Sequence, residues 1–299
     1  MLWPPRPTFT VKDAVEACNV GCTDEAEVKR LTKRLPEMEK VEAAYLHAGK
    51  SGALLALLHS RLVEQRKDPD MSLLIDAYNG GLVRRAAGRV LYEAIKGSAV
   101  QGKCPLCGVG EIGSLDHHAP KTLFPLLAIT PLNLVPACGI CNGKKSNSLP
   151  ASPDVEDFHP YFDDLGADRW LFAEICDGAA VFYARPPTHW TPRAQQRITH
   201  HFTRYDLAWR YTKYASHLIP DRKRTDSRLR NLDPELLREE LQDAARSHEA
   251  NNPNSWSTAL LHALSESDWY ISSGEGPTAS GGTRVGSPTS EEVQQQLQQ

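Results

Sequence analysis

Apolar side chains recur at helical spacing along much of the chain. Leu54, Leu55, Leu57, Leu58 and Leu62 form a broad stripe within Ser51–Gln65, the pattern of one buried helix face. Val83, Ala86, Val90 and Ala94 fall on one side of a second predicted helix, about Leu82–Ile95. Thr23-Asp24-Glu25-Ala26-Glu27 reads as a helix start, its acidic first turn complementing the helix dipole. The first 100 residues are thus expected to pack as a helical bundle. Farther on, Trp170–Ile175 and Ala180–Tyr183 have the apolar and aromatic density of short strands joined by an Asp177-Gly178 turn. Ile198, Phe202, Tyr205, Trp209 and Thr212 predict one long amphipathic helix, and Glu235–Glu249 and Ser255–Glu266 predict two more. Ser272–Gln299 contains no aromatic residue and is rich in Gly, Ser, Pro, Thr and Gln, as in a disordered tail.

Residues 103–150 break this rhythm with four cysteines, six prolines and few charges. No long helix fits them, so an additional staple is needed to order them. The expected fold class is α+β, mainly α. Its divisions are a helical region at 1–100, a cysteine-rich module at 101–165, short strands with amphipathic helices at 166–271, and the tail at 272–299. The uncharged run 122–143 is long enough to span a bilayer, but Pro125, Pro131 and Pro136 interrupt it. No membrane segment is expected, and Met1-Leu-Trp-Pro-Pro-Arg lacks the apolar core of a secretory signal.

Composition narrows the class further. At 40% hydrophobic and 24% charged, the chain is neither wholly disordered, nor collagen-like, nor a polytopic membrane protein. Seven cysteines in 299 residues are too few, and of the wrong parity, for a disulfide scaffold. A reducing cytoplasmic setting is expected, where clustered cysteines bind metal. Cys104-Pro-Leu-Cys107 and Cys138-Gly-Ile-Cys141 are two C-x-x-C pairs. Each puts two thiolates on one side of a tight turn, and together they make a tetrahedral shell for a structural Zn²⁺. Cys18, Cys22 and Cys176 lack such partners and are expected to pack in the core.

The insert between these pairs carries reactive side chains. Asp116 and Asn142 are oxygen donors suited to Mg²⁺ or Mn²⁺. His117 is suited to accept a proton near neutral pH. Lys121, Lys144 and Lys145 offer positive charge to phosphate oxygens. Each residue alone has an ordinary explanation as a cap, a loop former or an exposed polar group. Within one zinc-stapled segment they suit metal-assisted phosphodiester hydrolysis.

The order C-x-x-C, D-H-x-x-P-K, then N-L-x-P-x-C-x-x-C-N-x-x-K resembles the HNH endonucleases of the ββα-metal (His-Me finger) class over about residues 103–148. Arg89-Val-Leu-Tyr92-Glu and Phe158-His-Pro-Tyr-Phe162 extend a weaker similarity to HNH proteins of prokaryotic phage-defence operons, which implies an antiviral role and an ATPase partner. The resemblance implies a zinc-stapled ββα-metal core with Asp116 as metal-ligating acid and His117, three residues before Pro120, as general base. It makes His118 the weaker candidate for that base. It assigns Asn133 to pinning the loop that orients the histidine. Asn142 stands where the family's last histidine is found, as an asparagine variant that still offers an oxygen to the metal.

The net charge of −3 shows no overall basic excess, yet residues 185–230 hold eleven Lys/Arg against three acids. Arg197, Arg204, Arg222, Lys223 and Arg224 are the expected phosphate-binding residues of that stripe. A metal-dependent DNA endonuclease is the leading expectation. The same residues would serve an RNA (tRNA-like) substrate. A non-catalytic zinc-knuckle binding module would be expected to lack one of Asp116, His117 and Asn142, and all three are present.

Overall fold

Helix caps and turn residues written in the sequence set most of the elements in the computed structural model, which describes residues 3–60 and 70–272. The fold is mainly helical, with two small antiparallel strand pairs. Helix α1 (Val11–Asn19) starts with a capping box, the Thr10 side chain and Asp13 each satisfying the other's backbone N–H. Helix α2 (Glu25–Lys50) starts where expected, with Asp24 accepting from the N–H groups of Ala26 and Glu27. The Ser51–Gln65 stripe is seen as α3 (Leu54–Leu58); Leu62 lies outside the described residues.

The helix expected over Leu82–Ile95 is divided. Helix α4 (Met71–Asp76) runs into a π-helical turn, Ala77–Leu82, and α5 (Ala86–Gly97) begins only after Arg85 adopts an extended conformation. The break rotates the buried face: α5 buries Gly88, Tyr92 and Ile95, while Val90 is 66% exposed. Glycine is required at this crossing. A Cβ on Gly88 would lie 2.2 Å from the Gly81 carbonyl oxygen, and one on Gly81 would lie 2.7 Å from the Cys18 sulfur.

Strands β1 (Ser114–His117) and β2 (Leu134–Ala137) pair antiparallel, with Asp116 opposite Val135 and His117 opposite Leu134. Helix α6 (Gly139–Lys145) follows, completing a ββα order. These elements do not form a core of their own. Leu115, Phe124, Leu127 and Leu134 belong to one buried cluster with Val11, Leu31, Met38, Tyr45, Leu74 and Leu82. The chain divides into two units: the described part of Met1–Gly166 with Thr191–Tyr205, and Ala167–Trp190 with the described part of Asp206–Gln299. The helical region and the cysteine-rich module, separated at residue 100 by sequence, thus share the first unit.

The second unit is built on the β3 (Leu171–Cys176) and β4 (Ala179–Ala184) hairpin. Asp177 and Gly178 both have positive φ, as a two-residue I′ turn requires. Asn254 closes the unit, accepting from the N–H groups of Trp170 and Leu171 and donating to the Asp168 carbonyl. Helices α9 (Pro234–Asn251) and α10 (Trp256–Glu266) match the expected ones, and the short α11 (Asp268–Ser272) follows. Residues 273–299 of the expected tail lie outside the described residues.

The long amphipathic helix is not one element. Helix α7 (Pro192–Arg204) belongs to the first unit and α8 (Leu207–Leu232) to the second, with Asp206 between them at φ +48. Aspartate tolerates this left-handed conformation, and the helical register resets there. Ile198, His201 and Tyr205 are buried before the break and Tyr211, Ala215 and Ile219 after it, while Trp209 is 64% exposed. Of the three cysteines outside the pairs, Cys18 is buried, but Cys176 is exposed and Cys22 only partly covered. Among the described residues, no helix is long and apolar enough to cross a membrane.

Candidate functional site

The four paired cysteines meet. One sulfur from each of Cys104, Cys107, Cys138 and Cys141 lies within 4.8 Å of the others, and all four residues are buried. In the first knuckle, Gly108 N–H and Cys107 N–H bond back to the Cys104 carbonyl, with Gly108 at positive φ. Gly110 N–H points at the Cys107 sulfur, 3.3 Å away. In the second, Cys138 caps α6 and its sulfur faces the Cys141 N–H. Tetrahedral zinc with sulfur at about 2.3 Å requires sulfurs roughly 3.8 Å apart, and Cys107 and Cys138 sulfurs are 3.9 Å apart. The four buried sulfurs are positioned to bind a metal ion such as zinc.

Between the knuckles, the loop from β1 to β2 is tied by one side chain. Asn133 is fully buried. Its Oδ1 accepts from Ala119 N–H (2.7 Å) and Tyr45 O–H (3.1 Å), and its Nδ2 donates to the carbonyls of Ala119 and Leu127, each at 3.0 Å. All four hydrogen-bonding positions of the amide are used. Behind Tyr45 stands His159. Its Nδ1 accepts from Tyr161 N–H, so the ring proton is on Nε2 and is donated to the Tyr45 oxygen at 3.2 Å. Burial pushes His159 down to about 3, keeping it neutral. Asp163 accepts from the His159 backbone N–H and is gripped through both oxygens by Arg197.

His117 closes β1 with its ring edge-on to Tyr78, centroids 4.4 Å apart. Its Nε2 is 2.8 Å from the Ala128 carbonyl oxygen. A carbonyl only accepts, so Nε2 carries the proton and Nδ1 keeps a free lone pair. Burial lowers the His117 pKa to about 3. Asp116, beside it, is pushed up to about 6 by burial, against the pull of Lys145. The Lys145 ammonium lies 3.3 Å from Asp116 and donates to the His117 carbonyl at 2.6 Å. Asn142 donates from Nδ2 to Ser114 Oγ, which leaves its amide oxygen to serve as an acceptor. Asp116, His117, Lys121 and Asn142 line one cavity of about 340 Å³. His118 does not line it; its ring packs on His159, 4.2 Å between centroids.

The basic residues separate into different roles. Lys121 reaches the cavity, whereas Lys145 is only 3% exposed and engaged by Asp116, a correction to its expected phosphate contact. Lys144 is exposed on α6. The expected stripe over 185–230 is not continuous. Arg197 is held by Asp163 and the carbonyls of Glu156 and Asp157, and Arg204 by Asp157, Ser148 and the Lys145 carbonyl. In the second unit Arg222 pairs with Asp226, Arg224 with Asp221, and Lys223 lies over the Trp269 ring. Charge counting along the chain could not reveal these internal partners.

Sequence reading missed Tyr45, Tyr78 and His159. Tyr45 and Tyr78 carried no local signal, since their partners lie 88 and 37 residues away. His159 did have one, in Phe158-His-Pro-Tyr-Phe162.

Comparison with known proteins adds little. No family model matches the chain, and no solved structure matches it. Protein ea31 of Escherichia phage lambda is 29% identical over 189 residues, which cover 56% of this chain and 63% of ea31. The similarity thus spans less than two thirds of that relative's length.

Proposed function

We propose that this chain is a metal-dependent HNH-type endonuclease that hydrolyses phosphodiester bonds in DNA, with zinc held by Cys104, Cys107, Cys138 and Cys141. One observation carries the reading: His117, proton fixed on Nε2 by Ala128 and Nδ1 unengaged, shares a cavity with Asp116 and Asn142 on a ββα element. Hydrolysis needs a base with its lone pair turned to the reacting water and a fixed partner behind it, and this tautomer supplies both.

Asp116 and Asn142 would hold Mg²⁺ or Mn²⁺; a carboxylate and an amide oxygen are the hard donors such ions prefer. The raised Asp116 pKa fits, because a buried carboxylate gains from a cation. When bound, the ion supplies charge to the scissile phosphate and the departing oxygen. His117 Nδ1 takes the proton of the attacking water. The Ala128 carbonyl, accepting from Nε2–H, stabilises the imidazolium that results and keeps the ring from turning. Asn133 holds that carbonyl's neighbour Leu127, and the strand-side residue Ala119, at fixed distance. The zinc site fixes where α6, and with it Asn142, lies relative to β1.

The experiment is incubation of the purified protein with supercoiled plasmid, single-stranded DNA and bulk tRNA in Mg²⁺, Mn²⁺ or EDTA. The expected result is cleavage of DNA in either metal and none in EDTA. Cleavage of tRNA alone would move the substrate to RNA, and cleavage undiminished in EDTA would remove the metal from the account.

A further inference from the structure

The helical segment before the cysteines also reaches the site, at the π-helical turn Ala77–Leu82. Three contacts hold this wide turn in place. The Cys18 thiol donates to the Ala77 carbonyl at 3.3 Å, Gly81 lies against Cys18, and Gly88 lies against Gly81. Burial raises the Cys18 pKa to about 12, so the thiol remains a donor. The turn presents two side chains to the site. Tyr78 donates its hydroxyl to the Leu115 carbonyl and packs edge-on to His117. Asn79 accepts, through Oδ1, a 2.9 Å bond from the Lys121 ammonium. The same ammonium lies 4.3 Å from the centroid of the Tyr78 ring. π-Bulges recur at functional sites because they re-aim side chains that an α-helix would place elsewhere.

Resting on the nuclease reading, we infer that the π-helical turn sets Lys121 as the anchor for a substrate phosphate, making residues 77–82 part of the nucleic-acid-binding surface. Lys121 lines the same cavity as His117 and Asp116. An amide oxygen and a ring face hold its ammonium without neutralising it, so its charge stays available to an anion. Among the described residues, the carboxylate on that cavity's wall is Asp116, which is already paired with Lys145. Lys121 is half-buried, and burial lowers its pKa, so an anionic partner offsets a desolvation already incurred. Within the first unit, Arg197 and Arg204 of the expected stripe are engaged internally. Beyond Tyr78, which lines both, a second cavity of about 620 Å³ is walled by Asn79, Gly80 and the exposed Arg84. Glu27 there is paired with Arg85. Among the described residues, Lys121 is the lysine or arginine on the wall of the cavity that holds His117 and Asp116.

The test measures binding of a short duplex and a single-stranded oligonucleotide by fluorescence anisotropy between about 50 and 200 mM salt, in the His117→Ala background so that nothing is cleaved. Cleavage kinetics are followed beside it in otherwise wild-type protein. Lys121→Met is expected to lower the slope of log affinity against log salt by about one and kcat/KM by about tenfold, mostly through KM. Lys121→Arg should keep the slope. Asn79→Ala leaves the charge but not its placement, so KM should rise several-fold with the slope unchanged and the melting temperature near wild type. Wild-type slope and wild-type kcat/KM in Lys121→Met, with the wild-type protein cleaving, would overturn this inference and leave the nuclease reading standing. Wild-type protein that neither binds nor cleaves nucleic acid would overturn both.

Discussion

The segment from Cys104 to Lys145 and the arginine-rich stretch 185–230 both looked functional in the sequence, and they fare differently. The first combines unlike residue types at fixed spacing, and folding brings its cysteines to one point and its Asp, His and Asn to one cavity. The second is a count of like charges, and folding divides it between two units and gives Arg197 and Arg204 internal partners. A metal shell or a base with its orienting carbonyl requires particular neighbours, so such a motif constrains the fold around it. A positive charge accepts any carboxylate or carbonyl, so its purpose is decided by whichever one lies close.

The sharpest way to break this contrast is to remove the staple. Structural zinc contributes folding energy on the order of 10 kcal/mol in small domains. Cys138→Ser should therefore abolish stoichiometric zinc and the cooperative melting of the first unit, read by metal analysis and circular dichroism. A zinc-free variant with wild-type melting would show the staple unnecessary.

Asn133→Ala comes next. It leaves the Tyr45 hydroxyl and the Ala119 N–H without their shared acceptor in a buried loop, at a cost of about 3–5 kcal/mol. The melting temperature should fall by roughly 10 °C, with zinc retained. A change within a degree or two would mean the loop is held by something else.

Acid should weaken the first unit as well. His159 and His201 are buried and held near 3, whereas in the unfolded chain they protonate around 6.5. The unfolded state thus binds more protons between those values, and stability is lost as pH falls through 6.5. Each histidine should cost about 1 kcal/mol between pH 7 and 5.5. Denaturant melts should show lower stability at 5.5; equal or greater stability there would contradict the neutral, buried assignment of these rings.

Engaged arginines separate from exposed ones, and the smallest effect is expected at an exposed one. Arg197→Met breaks a bidentate pair that is mostly buried and should cost about 1–3 kcal/mol without changing the salt dependence of DNA binding. Arg224→Glu, on a side chain 82% exposed, should change stability by less than about 0.5 kcal/mol. A stability loss for Arg224 larger than that for Arg197 would reverse the comparison.

Much of the fold was legible because its signals are local. Asp24 and Ser255 cap helices through contacts two or three residues away, and Asp177-Gly178 turns a hairpin by its own backbone preference. What was not legible depends on contacts far along the chain. The break at Asp206 and the π-helical turn at Ala77–Leu82 carry no proline, and the second is held by Cys18 and Gly88 from elsewhere in the chain. The spacing of the candidate site was visible, but its support was not. Tyr45 reaches Asn133 across 88 residues and His159 reaches Tyr45 across 114; no periodicity joins positions so far apart.

The central claim is that His117, not its neighbour His118, removes the proton from water. Cleavage of supercoiled plasmid in Mg²⁺ by His117→Ala, with zinc content and melting temperature matched to wild type, tests it most directly. The account predicts a rate lower by about 10²–10⁴-fold, the contribution of a general base, while His118→Asn keeps activity in its folded fraction. Wild-type cleavage by folded, zinc-loaded His117→Ala would contradict it.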